Sequence, residues 1–316
     1  MKGNIPTGEL TALMRVKQFR WAILLVIFLC ICVCGARSQE KPSDDLNVAL
    51  MQSTFLIKGP AAGNRVSSAT VFLLGRPIPN KENVWKIVLV TANHVFDDIQ
   101  GKYAEILLRQ RDSNGNWIRY PVRLTIRRGQ SPLWTKNPNA DVAVAYVQMP
   151  VTSFDQVVPL SMLADDKMLT DFRMTPGTEL NCLGYPYGIA ANDIGFPVLR
   201  GGTIASYPLV PTATYKTFLF DFHVLGGNSG GPVYFSQPPF RGSVGFGGRA
   251  QFVVGLVSAQ QFDTPDLEHP LSLAVVIQAD ILRQTIEMLP SPESPEAAAQ
   301  VLEMTPIPSN ASSLNF

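Results

Sequence analysis

The stretch "GGNSGGPVY", residues 226–234, sets four glycines around one serine and closes on a proline. Glycine contributes little to a core and is kept where the backbone takes unusual angles or comes close to another group. Ser229 therefore reads as a side chain presented to a visitor. A serine hydroxyl is a weak nucleophile at neutral pH. It needs a base to take its proton, a third group to fix that base, and donors for the charge that develops. By itself the stretch also has the reading of a tight turn with an idle serine, so the search moves outward to partners.

The chain has three histidines, His94, His223 and His269. His94 lies in "VLVTANHVF", where a strongly apolar run breaks into a loop, a place for a fixed but accessible base. Asp141 lies in "NPNADVAVAYV", at the mouth of a buried strand in which Val142, Val144 and Tyr146 are expected to share one face. Singly, His94 is also a satisfied strand-end histidine and Asp141 a turn or cap residue. Together with Ser229 they give the chain order His, Asp, Ser.

The surrounding pattern is all β. Short β-type runs punctuated by glycine, proline and asparagine fill residues 50–290. Six precede a break: "STFLIKG", "SSATVFLLG", "NVWKIVLVTANHV", "AEILLRQ", "NWIRYPVRLTI" and "DVAVAYVQ". Six follow it: "ELNCLGYP", "FPVLRGGTIAS", "TFLFDFHV", "GPVYFS", "FVVGLVSAQ" and "SLAVVIQA". Two sets of six predict two six-stranded antiparallel β-barrels side by side, at 46–150 and 179–290, joined by a linker over 151–178. "ADILRQTIEML" spaces Ile281, Leu282, Thr285, Ile286 and Leu289 for a closing amphipathic helix. Residues 291–316, rich in proline, serine and glutamate, are expected to be a disordered tail.

The three pieces resemble the trypsin/chymotrypsin-like serine proteases, whose motifs are a "TAxH" turn, a "DxA" strand start and a "GxSGGP" loop. The resemblance runs over roughly residues 50–290. It implies a chymotrypsin-like double barrel, with Ser229 attacking the scissile carbonyl, His94 relaying its proton and Asp141 orienting His94. It implies an oxyanion hole made by the backbone N–H groups of Gly227 and Ser229, with a side chain at 226 or 227 an obstruction. Ser258 in "GLVSAQ" would support the aspartate and begin the substrate-binding strand. His223 would lie at the base of the specificity pocket, where an imidazole could bond a polar or acidic substrate side chain; a hydrogen-bonded core histidine is the plainer reading. Asn228 stands where digestive and clotting members carry aspartate, and no "IVGG"-like start is present. "GNSG" and the "LGYPYG" turn are closer to the bacterial-type members, such as the high-temperature-requirement proteases and the glutamyl endopeptidases. The stretch after residue 290 is too short for a PDZ domain.

Residues 1–36 stand apart. Lys2, Arg15, Lys17 and Arg20 precede an uncharged run, Trp21–Ala36, that reads as a secretory signal cleaved after Ala36 or as a membrane anchor. Either way the body is expected to be exported. Cys30, Cys32 and Cys34 fall in that run, which leaves Cys182 as a small buried hydrophobe and no internal disulfide. With 46% hydrophobic and 16% charged residues and a net charge of +1, the 316-residue chain has the material for a large core. It carries no basic stripe for nucleic acid. The glycines of the insert 236–251, expected to be a mobile loop, are followed by no "GKS" or "GKT", so no phosphate loop is present. The expected partner is a polypeptide substrate, with no cofactor, no metal, no nucleic acid, and membrane contact only through an uncleaved leader. His269 in "DLEHPL" is expected in a solvated loop.

Overall fold

The computed structural model describes residues 45–151, 154–237, 250–262 and 270–307. The leader, most of the 236–251 insert and His269 lie outside these residues.

The described residues open with a helix that the run pattern does not mark, α1 (Leu46–Ser53). Asp45 caps it by accepting the Asn47 N–H at 2.9 Å, the side-chain oxygen satisfying one of the free amides of a first helical turn. The strands of the N-terminal half are β1 (Thr54–Ala61), β2 (Arg65–Pro77), β3 (Trp85–Thr91), β4 (Tyr103–Arg111) and β5 (Trp117–Thr125), with helix α2 (Asn93–Asp98) after β3. Then come the hairpin β6 (Arg127–Arg128) and β7 (Ser131–Pro132), short β8 (Thr135–Lys136), and β9 (Ala143–Tyr146). Residues 142–147 are buried throughout, so Val142, Val144 and Tyr146 lie in the buried strand expected of them and its opposite face is covered as well.

The linker is more than a loop. It carries helix α3 (Asp166–Asp171) and is buttoned to β2 by Gly75 N–H donating to the Val158 carbonyl at 2.8 Å. In the C-terminal half, β10 (Glu179–Gly184), β11 (Val198–Ile204), β12 (Thr217–Asp221), β13 (Pro232–Ser236), β14 (Gln251–Phe262) and β15 (Pro270–Gln278) close into a barrel in the order β10-β11-β12-β15-β14-β13. Helix α4 (Ala279–Glu287) follows and buries Ile281, Leu282, Thr285 and Ile286, as its spacing predicts. α5 (Pro295–Ala299) and β16 (Met304–Pro306) end the described chain.

Two expectations are corrected here. The N-terminal half is an eight-stranded sheet, β16-β5-β4-β1-β2-β3-β9-β8, rather than a closed barrel of six. Up to residue 307, the tail is also ordered. The two corrections have one cause. β16 pairs with β5, Met304 opposite Leu124, while Leu302 forms a parallel bridge to Val147 just past β9. The tail therefore spans from one side of the sheet to the other, where β5 and β9 would have to pair for direct closure. Of its apolar residues, Ala297, Leu302 and Met304 are buried, and an otherwise open strand edge is covered.

Candidate active site

His94 and Asp141 meet because of a register. β3 and β9 are antiparallel with Thr91 opposite Ala143, so the chain leaving β3 and the chain entering β9 emerge at the same end of the sheet. His94 lies three residues beyond Thr91 and Asp141 two residues before Ala143. The His94 main-chain N–H, one of the free amides opening α2, donates to Asp141 Oδ1 at 2.9 Å. The His94 ring donates from Nδ1 to Asp141 Oδ2 at 2.6 Å. An ionised carboxylate only accepts, so the proton of the neutral imidazole sits on Nδ1 and leaves Nε2 as the free acceptor.

Ser258 completes the carboxylate's shell, its hydroxyl donating to Asp141 Oδ2 at 2.6 Å. A bulge aims it there. Along the β14–β15 pair, Val257 faces Val276 and Ala259 faces Val275, which leaves Ser258 as the extra residue.

These bonds set the charges. Burial pulls the His94 imidazolium down, but the hydrogen bond and charge of Asp141, helped by Asp98 and Asp97, outweigh it and leave its pKa above the ordinary imidazole value. Burial pushes the Asp141 carboxyl up, and the donors from His94 and Ser258 reverse this, leaving it below the usual carboxylate range. The pair is poised with aspartate charged.

Ser229 lies on the turn before β13. Its hydroxyl donates to the Ser258 carbonyl at 3.3 Å, so the serine joins the His94–Asp141–Ser258 group through Ser258. No Ser229–His94 hydrogen bond is formed among the described residues. Such contacts are often loose without substrate and tighten when it binds.

The glycines around Ser229 have separable reasons. Gly227 has φ +99°, and a Cβ on it would collide with the Tyr185 carbonyl oxygen. Gly230 has φ +83°, and its Cβ would strike the Thr70 carbonyl and the Thr91 hydroxyl. Gly226 differs from the expectation. A Cβ there would have only the Tyr187 ring at 4.0 Å for company, so space alone does not require glycine at 226.

Two peptide groups in this turn have an engaged carbonyl and an N–H without an internal acceptor. The Gly226 carbonyl accepts from Tyr187 N–H at 2.5 Å and the Asn228 carbonyl from Gly231 N–H at 2.9 Å. The N–H groups on the other side of those peptides, Gly227 and Ser229, donate to nothing among the described residues. They are fixed donors without an acceptor, which is the arrangement an oxyanion requires.

His223 is exposed, not a core histidine. Its Nδ1 shares a 3.0 Å hydrogen bond with the Ser272 hydroxyl, and its carbonyl accepts from Arg200 Nη1 at 2.8 Å. Cys182 is buried, and burial pushes its thiol up to about 12, which keeps it an unreactive apolar group. No helix among the described residues is long and apolar enough to cross a membrane.

Three residues around this site escape the motif reading. Thr70 and Tyr185 hold the turn from behind, and Arg109, wholly buried, ties Tyr185 to the end of α1. Tyr185 lies inside the flagged "LGYPYG"; Thr70 and Arg109 lie in strands that carry no motif.

No protein-family model matches the sequence, and no curated protein matches it. Among solved structures, the chain is similar to the protease Anisep from Arthrobacter nicotinovorans at 14% identity and a TM-score of 0.42, over 75% of this chain and 94% of that one.

Proposed function

We propose that this chain is a serine endopeptidase that hydrolyses peptide bonds through an acyl-enzyme on Ser229. The observation that carries the reading is one connected arrangement. Asp141 holds His94 through Oδ1 and Oδ2, Ser258 links that pair to Ser229, and two unpaired N–H groups flank the serine.

The chemistry follows from these positions. Nε2 of neutral His94 takes the Ser229 proton as Oγ bonds to the scissile carbonyl carbon. The carbonyl oxygen becomes an oxyanion between the N–H groups of Gly227 and Ser229. The C–N bond then breaks, with the proton passing from His94 to the departing amine. Water, deprotonated by the same imidazole, attacks the ester carbon, and the acid leaves with the proton returned to Ser229 Oγ. Asp141 stays ionised throughout and stabilises the imidazolium.

We assign His223, with Nδ1 engaged by Ser272, to recognition of a polar or acidic substrate side chain. Indifference of cleavage to glutamate, glutamine and leucine before the scissile bond overturns that assignment. The uncharged run Trp21–Ala36 behind its basic residues supports export of the body.

A second reading, a protein of this fold that binds polypeptide without cutting it, is favoured by one observation: the Ser229 hydroxyl points to the Ser258 carbonyl rather than to His94. The two separate on exposure to a fluorophosphonate, which transfers its phosphoryl group to an activated serine with loss of fluoride. Covalent labelling located at Ser229, and absent from Ser229→Ala and His94→Ala, is the expected result. A folded native chain that takes no label supports the binding protein.

A further inference from the structure

We propose that Thr70 is a positioning residue for the oxyanion site: its side-chain hydroxyl, reaching across from the N-terminal sheet, holds the glycine turn in the reactive conformation. The inference rests on the reading of Ser229 as nucleophile.

The turn needs an external hold. Gly227 sits at φ +99° beside Gly226, and glycine crosses between backbone conformations at little cost. Nothing intrinsic to such a segment selects the state in which the N–H groups of Gly227 and Ser229 are both left without an acceptor among the described residues. Four carbonyls of the turn can select it. Those of Gly226 and Asn228 are held by Tyr187 N–H and Gly231 N–H. The other two, Gly227 and Ser229, go to one residue, with the Thr70 hydroxyl donating to Gly227 O at 2.7 Å and the Thr70 main-chain N–H donating to Ser229 O at 2.9 Å.

The same hydroxyl oxygen accepts the Tyr185 N–H at 3.2 Å. That bond anchors the turn whose next-but-one amide, Tyr187, holds Gly226. Thr70 therefore acts on Gly227 from both sides, directly at its carbonyl and, through the 185–187 turn, at the Gly226 carbonyl that precedes it. Its own carbonyl receives the Thr91 hydroxyl at 2.8 Å, and Thr91 ends the strand that delivers His94. One wholly buried side chain thus joins the nucleophile turn, the 185–188 turn and the strand of the base. Removing the hydroxyl would leave the buried Gly227 carbonyl without its donor and the Tyr185 amide without its acceptor. A glycine turn relieves that by rotating, at the expense of the free N–H groups.

Only the hydroxyl is in question, so three substitutions in the full chain isolate it. Thr70→Val keeps the shape and removes the hydroxyl, Thr70→Ser keeps the hydroxyl and removes a methyl, and Thr70→Ala removes both. The measurement is the concentration dependence of fluorophosphonate labelling at Ser229, which separates reversible binding from the covalent step, with folding followed by thermal melting. Thr70→Val and Thr70→Ala should slow the covalent step at least tenfold with binding changed less than about threefold, while Thr70→Ser stays within threefold of native. Where Thr70→Val does not fold, the contrast between Ser and Ala carries the same information. A folded Val or Ala variant with the native covalent rate overturns the proposal, as does a Ser variant as slow as Ala. A native chain that never labels overturns the reading of Ser229 and this proposal together, whereas native labelling with no effect at position 70 overturns this proposal alone.

Discussion

Ser258 gives its hydroxyl to the same Asp141 oxygen that receives the His94 ring proton, at 2.6 Å in each case. Two donors on one oxygen disperse the carboxylate's charge before it reaches the imidazole. Ser258→Ala should concentrate that charge on His94, moving the pH midpoint of Ser229 labelling upward. It should also slow labelling about fivefold, the equivalent of one ~1 kcal/mol hydrogen bond. A midpoint that falls would contradict the bond's direction of action.

On the proposed role of His94 as base, its raised pKa sets the pH dependence expected of labelling. His94 accepts a proton only when neutral, so labelling should rise with pH through a midpoint above about 6.5, the ordinary imidazole value. Asp98 contributes to this shift through its charge, and Asp98→Asn should bring the midpoint down with no change in the plateau rate. The stability linkage has two opposite signs. His94, raised on folding, contributes stability that is complete below its unfolded pKa and is lost as pH rises through the folded value. Asp141, depressed on folding, contributes above the unfolded carboxylate value near 3.9 and loses it as pH falls through the folded value. The pair should therefore add most stability between roughly pH 4 and 6.5, and Asp141→Asn should flatten the melting profile on both sides of that interval.

The glycines at 226 and 227 should respond oppositely to alanine. Gly227→Ala meets both a positive φ and the Tyr185 carbonyl, and should abolish labelling. Gly226→Ala meets only the Tyr187 ring, in ordinary contact at 4.0 Å, and should stay within about 0.5 kcal/mol of native stability, as surface changes do. Equal damage at both positions in melting and labelling assays would show that the turn is tighter than its geometry.

Arg109 is a test of buried charge. It lies wholly inside the protein with its guanidinium between the rings of Phe55 and Phe196, 4.5 and 4.4 Å from their centroids. Its Nη1 and Nη2 donors go to the carbonyls of Met51, Gln52, Thr54 and Gly195 and to the Tyr185 hydroxyl, while Nε has no partner among the described residues. Burial pulls its pKa down, partly offset by Tyr185. The end of α1 replaces the usual carboxylate, because the last carbonyls of a helix are unpaired and carry its negative end. Arg109→Met should cost at least about 3 kcal/mol, since each buried carbonyl stripped of its donor costs about 1 to 3 kcal/mol, and Arg109→Lys should recover only part, since one ammonium cannot span the five acceptors. Denaturant melts of the two variants measure this directly.

What the sequence made legible was local. Twelve of the strands sit where short apolar runs lie between turn residues, and helix α4 follows its 3.6-residue spacing. His94, Asp141, Ser229 and Ser258 are carried by motifs a few residues long. The residues that escaped depend on contacts distant in the chain. Thr70 meets Gly227 across 157 residues, and nothing in "SSATVF" signals it. Arg109, in "AEILLRQ", reads as the polar member of an alternating strand, because its acceptors come from a helix end that periodicity cannot place there. The tail misleads for a related reason. Its composition is poor in large apolar groups, yet Leu302 and Met304 suffice to cover a strand edge whose openness is a property of the sheet, not of the tail.

The most direct measurement is of cleavage itself. The purified chain and its Ser229→Ala variant would be incubated with a mixed peptide library, and new termini identified by mass spectrometry. New termini generated by the native chain and absent with Ser229→Ala are the expected result. Identical termini from both, or none from a native chain whose Ser229 takes the fluorophosphonate label, would contradict peptide-bond hydrolysis at this serine.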